Sequence, residues 1–269
     1  MEYYTLSNGI TMPKLGFGTY KIPADIATDV VSNAISFGYR HIDTATYYNN
    51  EEAIGKAICM CTVPRDELFI TTKLWTDVKS YDDAMLSVRM SLCKLGIDYL
   101  DLVLIHWPTP NNSEVWRAME DMYDEGLIRA IGVSNFKIHH IDELLETARI
   151  TPQVLQVELH PYFQQEMLRK YASEHNIQVE AWSPLLRGSL FFDTTLNELA
   201  VRYNKTVAQI ALRFLMEEGI SIIPKTVHPQ YMRENIDIFD FDLLSVDRER
   251  LRTLNKNIRY YRDPDRHGF

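Results

Sequence analysis

Gly38-Tyr39-Arg40-His41-Ile42-Asp43-Thr44-Ala45-Thr46-Tyr47-Tyr48-Asn49-Asn50-Glu51-Glu52 is the stretch on which the fold is decided. A short apolar run over 40–43 ends in an acid, Asp43. A helix is predicted to start at Asn49-Asn50-Glu51-Glu52, where side-chain oxygens can take up free backbone N–H groups. Tyr48 lies between the two. An ionisable side chain where a buried strand meets a loop is what the mouth of a barrel of alternating strands and helices presents.

The same alternation extends in both directions. Upstream, Asn8-Gly9 separates two short apolar runs and predicts a small β-hairpin with a type I′ turn ahead of the main fold. Strand-length apolar runs occupy 14–18, 40–43, 68–73, 100–106, 128–133, 154–158, 178–182 and 221–224. Between them, helical periodicity covers 24–37, 51–61, 81–95, 114–125, 138–147, 166–175, 206–217 and 230–236, and a last helix over 246–255 precedes the tail. Alternating strands and helices favour a parallel sheet. Continuous apolar runs suit strands buried on both faces. Eight such units in 269 residues fit a closed (β/α)8 TIM barrel, an α/β fold, better than an open sheet. No linker divides the chain, so one domain over 1–269 is expected, with the carboxyl-terminal tail, 257–269, closing over the mouth.

Composition narrows the partners. The net charge is −9 with no long basic run, which argues against nucleic acid. The amino terminus has no basic and apolar leader pattern, and no run of about 18 apolar residues occurs, so a cytoplasmic protein off the membrane is expected. Cys59, Cys61 and Cys93 form no CxxC pair and are predicted to be buried thiols. A monomer acting on a small molecule is the expected form.

The polar residues that end the apolar runs carry the chemistry. The second run ends in Asp43, the third in Lys73, the fourth in His106. Each alone has a plainer explanation: a solvated lysine, a core histidine, a capping aspartate, a packing tyrosine. Together, on strand ends that converge on one mouth, they are complementary. Asp43 keeps Lys73 charged, and a charged lysine beside Tyr48 is expected to lower the phenol from its ordinary value of about 10. Such a tyrosine gives a proton to a carbonyl oxygen, and His106 donates a second hydrogen bond to it. The set has no electron donor, so a hydride cofactor is required. No metal is expected: Trp107-Pro108 follow His106, and His139-His140, adjacent on a helix, are read as unable to face one site. GxSxG and GxGxxG are absent, which removes a serine triad and a Rossmann-type nucleotide site.

The sequence resembles the aldo-keto reductase superfamily over essentially its whole length. The resemblance rests on Gly38–Ala45, Thr72-Lys73-Leu74-Trp75, Ile105-His106-Trp107-Pro108, Gly132–Phe136, Gln156–Tyr162, Ser183-Pro184-Leu185 and Ile223–Val227. It implies a catalytic tetrad of Asp43, Tyr48, Lys73 and His106 with Tyr48 as proton donor, and NADPH (NADP) lying extended across the mouth. Ser134, Asn135 and Gln156 would hold the carboxamide, and Trp182 would stack on the nicotinamide. Thr19, Tyr20 and Asp43 would flank it. Ser183, Leu185, Gly188 and Ser189 would line the pyrophosphate. Lys225, Thr226, Val227, His228, Tyr231, Glu234 and Asn235 would hold the adenosine end. Tyr20, Tyr48, Trp75, His106 and Trp107 would surround the substrate. Short segments after Trp107 and Pro184 make the chain similar to compact bacterial members that reduce keto-sugar acids such as 2,5-diketo-D-gluconate, and small aldehydes such as glyoxals. It departs from the family at Tyr231, where an arginine usually meets the 2′-phosphate, and at His228. Arg233 is expected to point away, so Lys225 is left as the cation there and NAD enters as the alternative dinucleotide. Other members of the superfamily serve as cofactor-sensing or structural modules, or reduce C=C bonds with glutamate in place of the histidine. Retention of the tetrad with His106 favours carbonyl reduction over both.

Overall fold

The computed structural model describes residues 1–266. The chain opens with a hairpin, β1 (Tyr3–Thr5) and β2 (Thr11–Pro13), paired antiparallel. Its turn differs from the expected type I′. Gly9 is left-handed at φ 86° while Asn8 is not. Leu6 N–H donates to Ile10 O at 2.8 Å, so a three-residue loop is used, in which the glycine takes the left-handed position. Asn8 instead spends its side chain on Arg129 O, at 2.9 Å. The hairpin packs Leu6 and Met12 onto Phe69, Leu102, Ala130 and Val154, and so plugs one end of the barrel.

The barrel alternates β3 (Phe17–Gly18), α1 (Ala24–Ser36), β4 (His41–Asp43), α2 (Glu51–Met60), β5 (Phe69–Leu74), α3 (Tyr81–Leu95), β6 (Leu102–Ile105) and α4 (Asn112–Asp124). It continues through β7 (Ile131–Ser134), α5 (Ile138–Leu145), β8 (Val154–Glu158), α6 (Glu166–Glu174) and β9 (Gln178–Trp182). Then come α7 (Thr194–Tyr203), α8 (Val207–Glu217), β10 (Ser221–Ile223), α9 (Pro229–Ile236) and α10 (Ser245–Arg252). From β3 to β10 each strand pairs with the next in sequence, all parallel. A parallel bridge between Leu15 and Ile222, with Gly18 N–H donating to Pro224 O at 3.1 Å, joins first strand to last. The result is the expected single-domain (β/α)8 barrel, its strands buried on both faces as their apolar runs require.

Sequence periodicity missed one helix. A 3-10 segment over Leu186–Phe192, broken at Arg187 and Gly188, and then α7 stand ahead of α8. The signal was present. Asp193 caps α7 by accepting from Leu196 N–H at 2.9 Å, and Leu196, Leu199 and Ala200 face the core at helical spacing. It goes unseen because a barrel needs only one helix per strand. The thiols also differ from expectation: Cys59 and Cys93 are exposed and Cys61 half-buried, since they occupy the outer faces and end of their helices. Among the described residues no helix is long and apolar enough to cross a membrane.

Candidate active site

The site grows from the ends of β4 and β5. Neighbouring parallel strands bring Asp43 and Lys73 together, both fully buried. Lys73 Nζ donates to Asp43 Oδ1 at 2.6 Å, to Asp43 Oδ2 at 2.7 Å and to Thr44 O at 2.8 Å. The ammonium is thus shared between the Asp43 carboxylate and the Thr44 carbonyl. A buried pair of this kind is stable only while both partners are present.

Tyr48 ends a single helical turn, Thr46–Tyr48, pinned by a bond from Thr46 Oγ1 to Lys73 O at 3.0 Å and closed by left-handed Asn49. Asn50 does not cap α2 through its side chain as expected. It ties the loop down, accepting from Thr44 Oγ1 at 2.8 Å and donating to Thr19 O and Ile22 O. The Tyr48 ring meets Tyr20 at 5.0 Å, lies edge-on to His106 at 5.6 Å, and has Lys73 Nζ 5.2 Å from its centre.

The electrostatics correct one expectation. Burial, the Asp43 charge and Tyr20 push the Tyr48 phenol well above its usual range, rather than Lys73 drawing it down. The reason is geometric. Tyr48 is buried, and Asp43, which pairs with Lys73, offsets the lysine charge and sets its own negative charge against a phenolate. Burial, then the nearby Lys73 charge, pushes His106 well below its ordinary value, so it is a neutral imidazole. Its Nδ1 is buried with no partner, and its backbone carbonyl accepts from Asn135 Nδ2 at 2.9 Å.

Tyr48 and His106 open into a cavity of about 1140 Å³. Tyr20, Trp75 and Trp107 line the same side, with Tyr47 stacked on Trp75 at 3.9 Å. The facing wall carries Ser134, Asn135, Gln156 and Trp182. Asn135 Nδ2 is shared between His106 O and Ser134 Oγ, while Asn135 Oδ1 accepts from Trp182 Nε1 at 2.9 Å. Gln156 Nε2 donates to Asp43 Oδ2 at 2.8 Å and to Glu180 Oε2 at 2.7 Å. Ser183, Leu185 and Gly188 follow along the groove. Its outer end is formed by Lys225, Thr226, Val227 and His228, and by Tyr231, Glu234 and Asn235 of α9. Two expected residues are not on the wall. Thr19 is buried beneath it, donating to Asp43 O at 2.9 Å, and Ser189 faces solvent. Lys21, Arg187 and Phe191 are on the wall but were not foreseen. Lys21 and Arg187 have left-handed backbones, which no periodicity announces.

At the outer end Tyr231 is 45% exposed and meets His228 edge-on at 5.6 Å. Arg233 lies over the Phe37 ring at 4.4 Å and does not line the cavity. Glu234 accepts from Thr206 Oγ1 at 2.8 Å.

The tail closes over the mouth. Tyr260 and Tyr261 N–H donate to the two oxygens of buried Glu158, at 2.7 and 3.2 Å. The Tyr261 hydroxyl pairs with Ser183 Oγ at 2.9 Å, and its ring meets Trp182 edge-on at 5.0 Å. Of the three tail arginines, Arg262 lines the cavity, whereas Arg259 packs inward over Phe163 and 3.7 Å from Glu158. Arg266 is exposed, and His267, Gly268 and Phe269 lie outside the described residues. Lys137 holds Asp263 at 2.6 Å, and His139 and His140 both reach Asp265, at 3.2 and 3.4 Å. Contrary to expectation the adjacent histidines share a target. They sit in the first turn of α5, where His140 Nδ1 accepts from Lys137 N–H at 3.1 Å and its Nε2 faces the tail.

Comparison with known proteins agrees with this architecture. Residues 14–256 match the aldo/keto reductase family model. The chain is 46% identical over 262 residues to a glyoxal reductase of Bacillus subtilis (strain 168), covering 97% of this chain and 95% of that one. It is 42% identical over 269 residues to the methylglyoxal reductase DkgA of Escherichia coli (strain K12), covering 98% and 97%. A crystal structure of a Gox0644 variant in complex with NADPH superposes with a TM-score of 0.95 at 36% identity, over 100% of this chain and 99% of that one. With the family model matched across nearly the whole barrel and relatives above 40% identity along their full length, the chain belongs to the aldo/keto reductase family.

Proposed function

We propose that the chain reduces small aldehydes and ketones to alcohols with NADPH, using Asp43, Tyr48, Lys73 and His106. The observation that carries this is the opening of the Tyr48 and His106 side chains, backed by the Asp43–Lys73 pair, into one cavity large enough for a dinucleotide and a small substrate. The valences left on the facing wall support the cofactor. Gln156 and Asn135 have spent their N–H groups on protein, which leaves Gln156 Oε1 and a lone pair of Asn135 Oδ1 to accept from an amide. The Ser134 hydroxyl hydrogen remains to donate to an amide carbonyl. That pattern is complementary to a carboxamide, and the Trp182 ring beside it offers a stacking face. When bound, the nicotinamide supplies the hydride.

The protein's own part is to orient the carbonyl and move a proton. Neutral His106 donates a hydrogen bond to the carbonyl oxygen and fixes its direction. Tyr48, held protonated by burial, gives its proton to that oxygen as negative charge builds there. Lys73 stabilises the phenolate left behind, and Asp43 fixes the ammonium. The tail and Trp107 wall the substrate side. The glyoxal and methylglyoxal activities of relatives favour a small, polar carbonyl. The domain is taken to span residues 1–269, and the protein to act as a cytoplasmic monomer. Turnover of a panel of small aldehydes and keto acids with NADPH, followed by loss of reduced-nicotinamide absorbance, tests the reading. Cofactor binding without turnover of any of them would reject it.

A further inference from the structure

A second buried carboxylate lies behind the tetrad. Glu180, in the middle of β9, is fully buried. Gln156 Nε2 bridges it to Asp43, at 2.7 Å on one side and 2.8 Å on the other. Ser221 Oγ on β10 donates to its other oxygen at 3.1 Å. His41 on β4 faces that oxygen with Nδ1 at 3.6 Å, and this Nδ1 has no hydrogen-bond partner. The opposite ring nitrogen meets Thr71 Oγ1 at 2.9 Å.

The charges do not balance unless a proton is added. Asp43 and Glu180 are two buried carboxylates joined through one amide, and Lys73 is the cation beside them, bonded to Asp43 and Thr44. An unpaired buried charge is costly, so one further proton is held in the cluster. Two groups can carry it. Burial, then Lys73, pushes His41 down to about 3. Burial, then the Asp43 charge, pushes Glu180 up to about 7. The proton therefore belongs on Glu180, where it faces the unpartnered His41 nitrogen.

We infer that Glu180 is a positioning residue whose protonation state, relayed through Gln156 to Asp43 and Lys73, sets how readily Tyr48 gives up its proton. This rests on the proposed role of Tyr48. With Glu180 neutral, the Lys73–Asp43 pair carries no net charge and does not oppose the phenolate that forms. With Glu180 ionised, a second negative charge opposes that phenolate, and reduction slows. The titrating proton exchanges with solvent, and no covalent bond is made.

The variant Glu180→Gln keeps the shape and cannot ionise. Single-turnover reduction of a small aldehyde by the NADPH-loaded protein is measured from pH 5.5 to 9 in wild type and variant. The wild-type rate is expected to fall about three- to tenfold across neutral pH, as a shift of up to about one unit in the acid would give. The fall should be absent from Glu180→Gln. Thermal unfolding reads the ionisation separately. A folded-state value raised above the ordinary 4.5 gives stability that is present at low pH and lost as pH rises towards about 7. The Tm of Glu180→Gln should therefore gain on wild type between those pH values and stay level above them. Parallel pH–rate profiles, or a steeper fall in the variant, would overturn the proposal. A constant Tm difference would show that Glu180 does not titrate there and would overturn it too. Tyr48→Phe distinguishes the two readings: if it stays active, the tetrad assignment fails, and if it is inactive while the profiles are parallel, only the Glu180 relay fails.

Discussion

The two ends of the cavity are built in opposite ways. At the strand ends, Asp43, Lys73, Gln156 and Glu180 are buried, and their side-chain bonds form one chain across β5, β4, β8 and β9. At the outer end, Lys225, His228 and Tyr231 are exposed or partly so, and they belong to one loop and the start of α9. A side chain fixed by several strands cannot change without disturbing its neighbours. One on an exposed helix start can. The inner end is thus suited to an invariant chemical step, and the outer end to tuning which dinucleotide is accepted.

The largest test of this contrast is Tyr48→Phe. It removes the hydroxyl proposed above as proton donor and leaves the ring packing against Tyr20 and His106, so reduction should fall about 10²- to 10⁴-fold with cofactor affinity nearly unchanged. Activity within a few-fold of wild type would break the inner-end reading. Lys73→Met should cost rate as well as about 3–5 kcal/mol of stability, because Asp43 is left as an uncompensated buried charge. Adding Asp43→Asn should restore much of the stability but not the rate. Recovery of both would make the pair structural.

The outer end should respond more gently. Tyr231→Arg introduces a cation at an exposed position and gives up an edge-on contact with His228. A charge-assisted hydrogen bond to a 2′-phosphate is worth about 1.5–3 kcal/mol, so selectivity for NADPH over NADH should rise roughly ten- to a hundredfold, mainly through KM. Steady-state kinetics with both cofactors decides it. A wild-type preference already above about a thousandfold, unaltered by the change, would mean that Lys225 and its neighbours suffice. Arg262→Ala should have the smallest effect. A mouth-lining charge is worth about 0–1 kcal/mol, so KM for a keto acid should rise up to about fivefold while a neutral aldehyde is unaffected. Equal effects on both substrates would assign Arg262 to packing.

Much of this architecture is legible in the sequence. The alternation of apolar runs with helical stretches identified the barrel, because strand and helix periodicities are local properties. Residues 43, 73 and 106 stood out because each ends an apolar run, and the barrel brings such ends to one mouth. The hidden parts had no local signature. Helix α7 was passed over for want of a strand to pair it with, and Lys21 and Arg187 reach the cavity through left-handed backbones.

The sequence by itself determined the barrel, the order of its elements and the residue types at its mouth, since these follow from patterns a few residues long. Only the tertiary structure decided what those residues are to one another. Gln156 meets Asp43 across 113 positions of chain, and Glu158 takes the tail N–H groups more than 100 positions away. Burial, then the Asp43 charge beside Lys73, leaves the Tyr48 phenol raised where the residue types alone suggested it lowered. Proton affinity depends on burial and on the distance between charges, and both are set by which strands the closed barrel brings side by side.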